Sequence, residues 1–235
     1  PSRSTRIVAR PAAQITGAYA LQRWVQAGAG RGAYPIKFNG SLFTVEVEDQ
    51  GRRQDPDYRR WGGCYWWQNT RLPYWAMAAA GDDDLMRPLF RFYAAALPLA
   101  QERNRLWFGT EGAFFPETMT IWGLLPDIDY EGGGPAPAQV RNPYIRHIWQ
   151  VGLELVAMML DVYDYTEDEA FLAGHVVPMA APVLRFFDEG FARDLDGKLI
   201  IDPAQSCETW QEAINPMPEV AGLHAVLDRL LALSA

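Results

Sequence analysis

The stretch YIRHIWQVGLELVAMMLDVYDYTEDEAFL, residues 144–172, decides the fold class. An apolar stripe at helical spacing predicts a helix over Tyr144 to Tyr165; the stripe comprises Ile148, Gly152, Leu155, Val156, Met159 and Tyr163. The next four residues, Thr166 to Glu169, have the composition of a turn that caps a following helix. That second helix is predicted over Ala170 to Phe187, with a kink or break at its two prolines. The sequence therefore predicts a helical hairpin.

Similar helical units lie on both sides of this hairpin. A helix is predicted over Thr16 to Ala29, and a last helix over Glu219 to Leu233. Another helical hairpin turns at Gly81 to Asp84, and its second arm runs towards Ala100. A long loop, Asn104 to Arg141, then separates the two hairpins.

Helical hairpins joined by long loops are typical of toroids of paired helices, in which the loops at one rim build the site. Short β pieces are expected in the loops, at Leu42 to Val45 and beside the tight turn Asp194 to Lys198. A complete six-hairpin toroid needs about a dozen helices, and this chain supplies roughly half of them. We therefore predict a mainly α fold in which residues 1–235 form one partial domain of this kind.

Composition and charge argue against several functions. The formal net charge of −8 is opposite to that of a nucleic-acid-binding protein. No run of about 18 apolar residues is present, so no membrane span is expected. Residues 1–6 carry no apolar signal core, which suggests a trimmed chain; a secreted or periplasmic location would require a signal segment outside it. Motifs for metals and cofactors are absent, so neither is expected, and Cys64 and Cys207 allow either a disulfide or two free thiols.

Aromatic residues make up 13% of the chain and are concentrated in loops. In the loop from Trp61 to Trp75, aromatic rings surround Gln68, Asn69 and Arg71. Flat aromatic faces bind the C–H surfaces of sugars, while amide and charged groups bind their hydroxyls. The alternative is an aromatic core beneath a loop. The site interpretation predicts a sugar platform built from three tryptophans, Trp66, Trp67 and Trp122.

Two glutamates lie in the aromatic segment Phe108 to Gly123. Burial there would raise the pKa of Glu117 and make it a plausible general acid. The alternative is that Glu111 and Glu117 accept backbone N–H groups and hold the loop, which is the favoured interpretation for Glu111.

Further polar candidates come from the predicted helix 144–165 and from a later loop. His147, Glu154 and Asp161 recur every seven residues and would share one side of that helix. A solvated helix face is the alternative. Glu208 stands in a loop two residues before Trp210.

Four of these segments resemble the catalytic domain of glycoside hydrolase family 95. Residues 68–75, QNTRLPYW, resemble the second half of the family stretch N-x-N-[LV]-Q-M-N-Y-W. Residues 109–123 resemble GxRG…HHNTDxWG, and residues 152–172 resemble GxWLxxHLWEHYxFTxDxxFL. Residues 203–208 resemble PSxSPEN. The similarity extends from about Trp61 to Glu208.

The resemblance implies an (α/α)6 six-hairpin glycosidase, a family that includes inverting α-L-fucosidases. It places Asp161 at the general acid and Asn69 at one of two water-positioning asparagines. Phe115-Pro116 replaces the His-His of the family and Met119 replaces its Asp. Because a closer likeness joins the chain to an uncharacterised branch, fucose specificity is not implied.

We predict from these features an inverting glycoside hydrolase with a carbohydrate substrate. The predicted catalytic residues are Asp161, Glu117, Glu208 and Asn69. The predicted substrate-binding residues are Gln68, Arg71, Trp66, Trp67, Trp122, Glu111, His147 and Glu154. Two alternatives remain, a non-catalytic carbohydrate-binding protein on a glycosidase scaffold and a purely structural helical domain.

Overall fold

The computed structural model describes residues 3–37, 48–54, 63–126 and 140–233. Its helices are α1 (Arg3–Gly30), α2 (Trp67–Thr70), α3 (Met77–Ala80), α4 (Arg87–Phe108), α5 (Val151–Thr166), α6 (Glu169–Phe171), α7 (Val177–Gly190) and α8 (Met217–Leu233). Short antiparallel pairs join β1 (Glu48–Asp49) to β2 (Arg52–Arg53), β3 (Tyr65–Trp66) to β4 (Thr118–Met119), β5 (Ala192–Arg193) to β6 (Leu199–Ile200), and β7 (Ala204–Ser206) to β8 (Trp210–Ala213). The mainly helical class is confirmed, whereas the strand predicted at Leu42 to Val45 lies outside the described residues.

The predicted helical hairpin is formed by α5, α6 and α7. Asp168 caps α6, because its Oδ1 accepts the N–H of Phe171 at 2.9 Å. A π-helical turn, Leu172–Val176, joins α6 to α7. Pro178 has no N–H to donate to the carbonyl four residues earlier, so the regular α pattern cannot pass through this point. The interruption predicted at Pro178 is therefore present as a π-helical turn, whereas α7 continues through Pro182.

Helix α5 lies between α7 and α8 and is in contact with both. A Cβ atom at Gly152 would lie 2.8 Å from Val183 on α7, so only glycine permits this approach of the two helices. On the other side, a Cβ at Gly222 of α8 would lie 3.1 Å from Leu153. This packing buries most of α5 and places its few polar side chains against neighbouring elements.

Several predicted helix boundaries differ from the structure. The first arm of the predicted hairpin at residues 70–84 consists of the separate four-residue helices α2 and α3. Helix α4 continues past Ala100 to Phe108, and α1 begins at Arg3. Helix α5 begins at Val151 rather than Tyr144 because distant side chains hold the preceding segment in turns: Gln205 accepts the N–H of His147, and Glu219 accepts that of Trp149.

One helical stretch in the described part of the chain, Glu169–Gly190, is long and apolar enough to cross a membrane, with a mean hydropathy of 1.5. The sequence prediction of no membrane span used another criterion, an unbroken run of about 18 apolar residues. Val183, Phe186 and Phe187 of this stretch are buried in the aromatic and aliphatic core, and α7 packs against α4 and α5. This packing accounts for the apolar residues of the buried face, while 39% of the apolar window as a whole is buried.

Candidate active site

The β3–β4 pair brings two predicted site segments together. Trp66 pairs with Thr118, and the next residue, Trp67, donates its backbone N–H to the carbonyl of Glu117 at 2.9 Å. Helix α2 begins at Trp67. Gln68 therefore lies directly beside Glu117, although 49 residues separate them in the sequence.

Glu117 is a buried carboxyl group, with only 1% of the residue exposed. Its Oε1 accepts the backbone N–H of Gln68 at 2.8 Å, while Oε2 has no hydrogen-bond partner among the described residues. Burial raises the pKa of Glu117 to about 8, opposed by the Gln68 N–H and by the charge of Arg71. Glu117 is therefore mostly protonated at neutral pH. The burial and raised pKa that the sequence suggested are present.

Glu154 lies in the first turn of α5. It connects that helix to α2 and to Arg71, the residue that follows α2. Its Oε2 accepts the indole N–H of Trp67 at 2.6 Å and a guanidinium N–H of Arg71 at 2.8 Å. Both partners of the ion pair are largely shielded from solvent. The pair is consequently less screened than a surface salt bridge, and it fixes the position of Arg71.

A cavity of about 410 Å³ lies between this cluster, α5, α8 and the β7–β8 turn. We call it the Glu154 cavity; it is lined by Gln68, Arg71, Trp75, Gln150, Leu153, Glu154, Ala157, Cys207, Pro218, Ala221, Gly222 and Ala225. Nε2 of Gln68 and Oε1 of Gln150 are buried and have no hydrogen-bond partner within the described residues. Leaving a buried donor or acceptor unpaired is costly, so a hydroxyl group that reached either atom would be stabilised there.

None of the predicted catalytic residues, Asp161, Glu117, Glu208 and Asn69, lines the Glu154 cavity, although Glu117 adjoins Gln68 in its wall. Asp161 of α5 lies 3.0 Å from Arg229 of α8. Four residues before them in their helices are Ala157 and Ala225, which both line the cavity. The pair of Asp161 and Arg229 is therefore one helical turn beyond the cavity, on the same helix faces. Glu208 is exposed next to Cys207, whose thiol donates to Oε1 of Gln68 at 3.0 Å. Asn69 instead lines a cavity beside α1.

The three predicted platform tryptophans have different environments. Trp67 is fully buried, with its ring 5.3 Å from that of Tyr93, so its face is not available to a sugar. Trp66 is half-buried against the core. Trp122 is exposed and lines a separate cavity. The aromatic ring at the Glu154 cavity belongs to Trp75, which is 41% exposed and was not among the predicted binding residues.

Glu111 and His147 also lie away from the lining of the Glu154 cavity. Glu111 is exposed, and its backbone N–H binds the Glu189 carboxylate at 3.1 Å. His147 precedes α5, so it does not share a helix face with Glu154 and Asp161 as predicted. Its ring is buried beside Trp149, and burial lowers the pKa of His147, with a smaller contribution from Arg146.

Glu219 is a buried carboxyl group that the sequence analysis missed. It lies in the first turn of α8, and its Oε1 accepts the N–H of Trp149 at 3.2 Å, just before α5. Oε2 has no partner in the described part of the chain. Burial raises the pKa of Glu219 to about 7, opposed by nearby backbone N–H groups. A glutamate early in a helix is an ordinary feature, so the sequence held no signal for this role.

The described residues contain no group of three or more His, Cys, Asp or Glu side chains arranged to hold a metal ion. Cys64 and Cys207, both in the described part, do not form a disulfide.

Comparison with known proteins identifies the family. No curated protein sequence matches the chain significantly. The profile of the glycosyl hydrolase family 95 catalytic domain matches residues 49–227, which include the β3–β4 pair, α5, α7 and the walls of the Glu154 cavity. Since this match covers well over half of the sequence, the chain belongs to glycosyl hydrolase family 95.

Proposed function

We propose that the protein hydrolyses a glycosidic bond of an oligo- or polysaccharide with inversion, and that the Glu154 cavity binds the substrate. The proposal includes residues 1–235 as part of an (α/α)6 barrel. Family membership supports a glycoside hydrolase with a carbohydrate substrate. The charge of Arg71 and the ring of Trp75 supply two kinds of contact that a sugar requires. The unsatisfied amide atoms of Gln68 and Gln150 belong to the same wall and are buried in the free protein, so a sugar pairs with them only where the wall opens.

The observation that carries the mechanism is the position of Glu154 and Asp161 on one face of α5. Seven residues correspond to about 10.5 Å of rise between the two Cα atoms, about 1 Å above the roughly 6.5–9.5 Å between the carboxyl groups of inverting glycosidases, a difference that side-chain rotation can remove. Both hydrogen bonds to Glu154 use Oε2, which leaves Oε1 to accept a proton from water. We assign water activation to Glu154 and proton donation to Asp161, the position favoured by the family resemblance.

Protonated Glu117 supports this assignment, because a neutral carboxyl beside Glu154 avoids repulsion between two carboxylates. It is also the second candidate for proton donor, since its environment keeps it protonated at neutral pH. Transfer from Glu117 would require the substrate to reach an oxygen that is buried in the free protein.

The test uses a panel of oligosaccharides with NMR detection of the first-formed anomer. Asp161→Asn should lower kcat by about 10²- to 10⁴-fold, the usual contribution of general acid catalysis. Asp164→Asn is the matched control, because Asp164 lies on the same helix and pairs with the same Arg229 at 2.6 Å. Retained activity in Asp161→Asn together with loss in Glu117→Gln would transfer the donor role to Glu117, and a retained anomeric configuration would contradict inversion.

A non-catalytic carbohydrate-binding protein is the second candidate function. It is favoured by the ion pair of Asp161 with Arg229 outside the cavity lining. This alternative predicts saccharide binding without release of any hydrolysis product from the whole panel.

A further inference from the structure

A second cavity, of about 440 Å³, lies beside α4. Two exposed aromatic residues, Tyr34 and Trp122, line it together with Arg91, and Phe92 and Ala96 of α4 contribute to its walls. We propose that this cavity, the Trp122 cavity, is a second carbohydrate-binding site that takes a neutral oligosaccharide. The inference rests on the proposed function for the class of ligand and goes beyond it in the site.

The strand pairing separates this site from the Glu154 cavity. Strand β3 leads into Trp67 and Gln68, which adjoin Glu117 before β4. Because β4 runs antiparallel to β3, the residues after Met119 lead away from that end of the pair. Trp122 therefore lies beyond the opposite end, and the two cavities share no lining residue.

Trp122 is 73% exposed, yet its backbone is firmly held. The N–H of Thr120 donates to the carbonyl of Leu124 at 2.8 Å, and that of Gly123 donates to the carbonyl of Thr120 at 3.0 Å. The buried Arg103 donates to the carbonyl of Gly123 at 2.5 Å. The turn thus presents a large apolar ring to solvent on a fixed backbone, an arrangement that lowers the entropic cost of binding.

Gly123 explains how the turn can pack so closely on α4. Its φ of +79° is in the left-handed region that favours glycine. A Cβ at this position would lie only 3.1 Å from that of Ala96. The conformation and the close contact fix the turn that carries Trp122 next to the wall of the cavity.

The chemistry of the Trp122 cavity selects a neutral sugar. The rings of Trp122 and Tyr34 offer flat apolar faces for the C–H surface of a pyranose. Arg91 is exposed and makes no ion pair with another described residue, so its guanidinium N–H groups are available to sugar hydroxyls. The net charge of −8 disfavours a polyanionic ligand. These groups match a neutral oligosaccharide.

The test is a titration of the full chain followed by indole N–H resonances in NMR. The probes are cellohexaose, xylohexaose, maltohexaose and 2′-fucosyllactose, added to the Asp161→Asn variant so that they are not consumed. The Trp122 resonance is assigned by its loss in Trp122→Phe. Trp210 provides an internal control, because it is 68% exposed and lines neither cavity.

At least one probe should shift the Trp122 resonance in a saturable manner and leave that of Trp210 unchanged. Arg91→Met should weaken this binding about tenfold, the loss typical of an anchoring side chain. No shift of Trp122 with any probe, or equal shifts of both resonances, would overturn the inference. Because hydrolysis is measured separately, an inactive protein can still show the Trp122 shift, and an active hydrolase can lack it.

Discussion

The indole N–H of Trp67 lies 2.6 Å from the Glu154 carboxylate, which joins α2 to α5 beneath the proposed site. Trp67 is fully buried, and Tyr93 meets its ring edge-on. This tryptophan therefore contributes to the proposed sugar site indirectly, by fixing Glu154 from within the core.

Trp67→Phe should remove this hydrogen bond while keeping an aromatic ring in the core. We expect a loss of about 2 to 4 kcal/mol in the free energy of unfolding, from a hydrogen bond to a charged group plus a small cavity. Urea unfolding measures the loss. Trp24→Phe is the control, since Trp24 is exposed and its substitution should change stability by less than about 0.5 kcal/mol. Equal effects of the two substitutions would show that the bond to Glu154 contributes nothing.

The contact of α5 with α7 at Gly152 gives a second prediction. Gly152→Ala places a methyl group 2.8 Å from Val183 and should destabilise the protein by about 1 to 3 kcal/mol. Adding Val183→Ala should recover part of this loss, because the two residues are coupled. Gly174→Ala is the matched control: a Cβ there meets no atom within 4 Å, and the substitution should stabilise by about 0.4 to 1 kcal/mol. Additive effects of the two α5–α7 substitutions in thermal unfolding would contradict the contact.

Helix α5 and the aromatic loop before it show which features the sequence can predict and which depend on the tertiary fold. The stripe of α5 and the cap at Asp168 are local patterns, and both the helix and the cap were predicted. The start of α5 and the position of His147 depend on Gln205, which is 58 residues away in sequence, so periodicity extended the helix too far. Trp67 and Trp75 lie in one aromatic loop, and only the tertiary fold decides which ring is buried.

The buried carboxyls Glu117 and Glu219 predict an unusual dependence of stability on pH. Their folded pKa values, about 8 and about 7, lie above the ordinary value of 4.5, so the folded state binds more protons than the unfolded state. Their contribution to stability is complete below pH 4.5 and is lost as the pH rises through the folded values. Between pH 4.5 and its folded pKa, each group can lower the free energy of unfolding by up to about 1.4 kcal/mol per pH unit.

Urea unfolding at a series of pH values measures this slope. His147 has the opposite sign, because its lowered pKa makes stability rise with pH up to its ordinary value of 6.5. The clearest interval is therefore between about pH 7 and 8, where Glu117 dominates. Glu117→Gln should flatten the curve there, while Glu219→Gln should flatten it mainly below pH 7. Stability that rises with pH between 7 and 8 in the wild type would contradict the assignment.

Gln150 offers a way to separate binding from stability. Its Oε1 is buried without a partner among the described residues, and its side chain does not cap α5 even though it is the N-cap residue. Gln150→Met removes an unsatisfied acceptor, so stability should stay the same or rise by about 1 to 3 kcal/mol. If Oε1 binds a sugar hydroxyl in the Glu154 cavity, KM should rise about tenfold with little change in kcat.

Gln205→Met is the matched control for Gln150→Met. Gln205 is equally buried, but it accepts the N–H of His147 at 3.1 Å and donates to the carbonyl of Pro143 at 3.0 Å. Its substitution leaves the buried N–H of His147 and the partly buried carbonyl of Pro143 unpaired, and it should cost about 2 to 4 kcal/mol. The two glutamines should therefore respond in opposite directions in urea unfolding. Destabilisation by Gln150→Met with an unchanged KM would mean that Gln150 serves the fold, and the wall of the Glu154 cavity would lose its proposed acceptor.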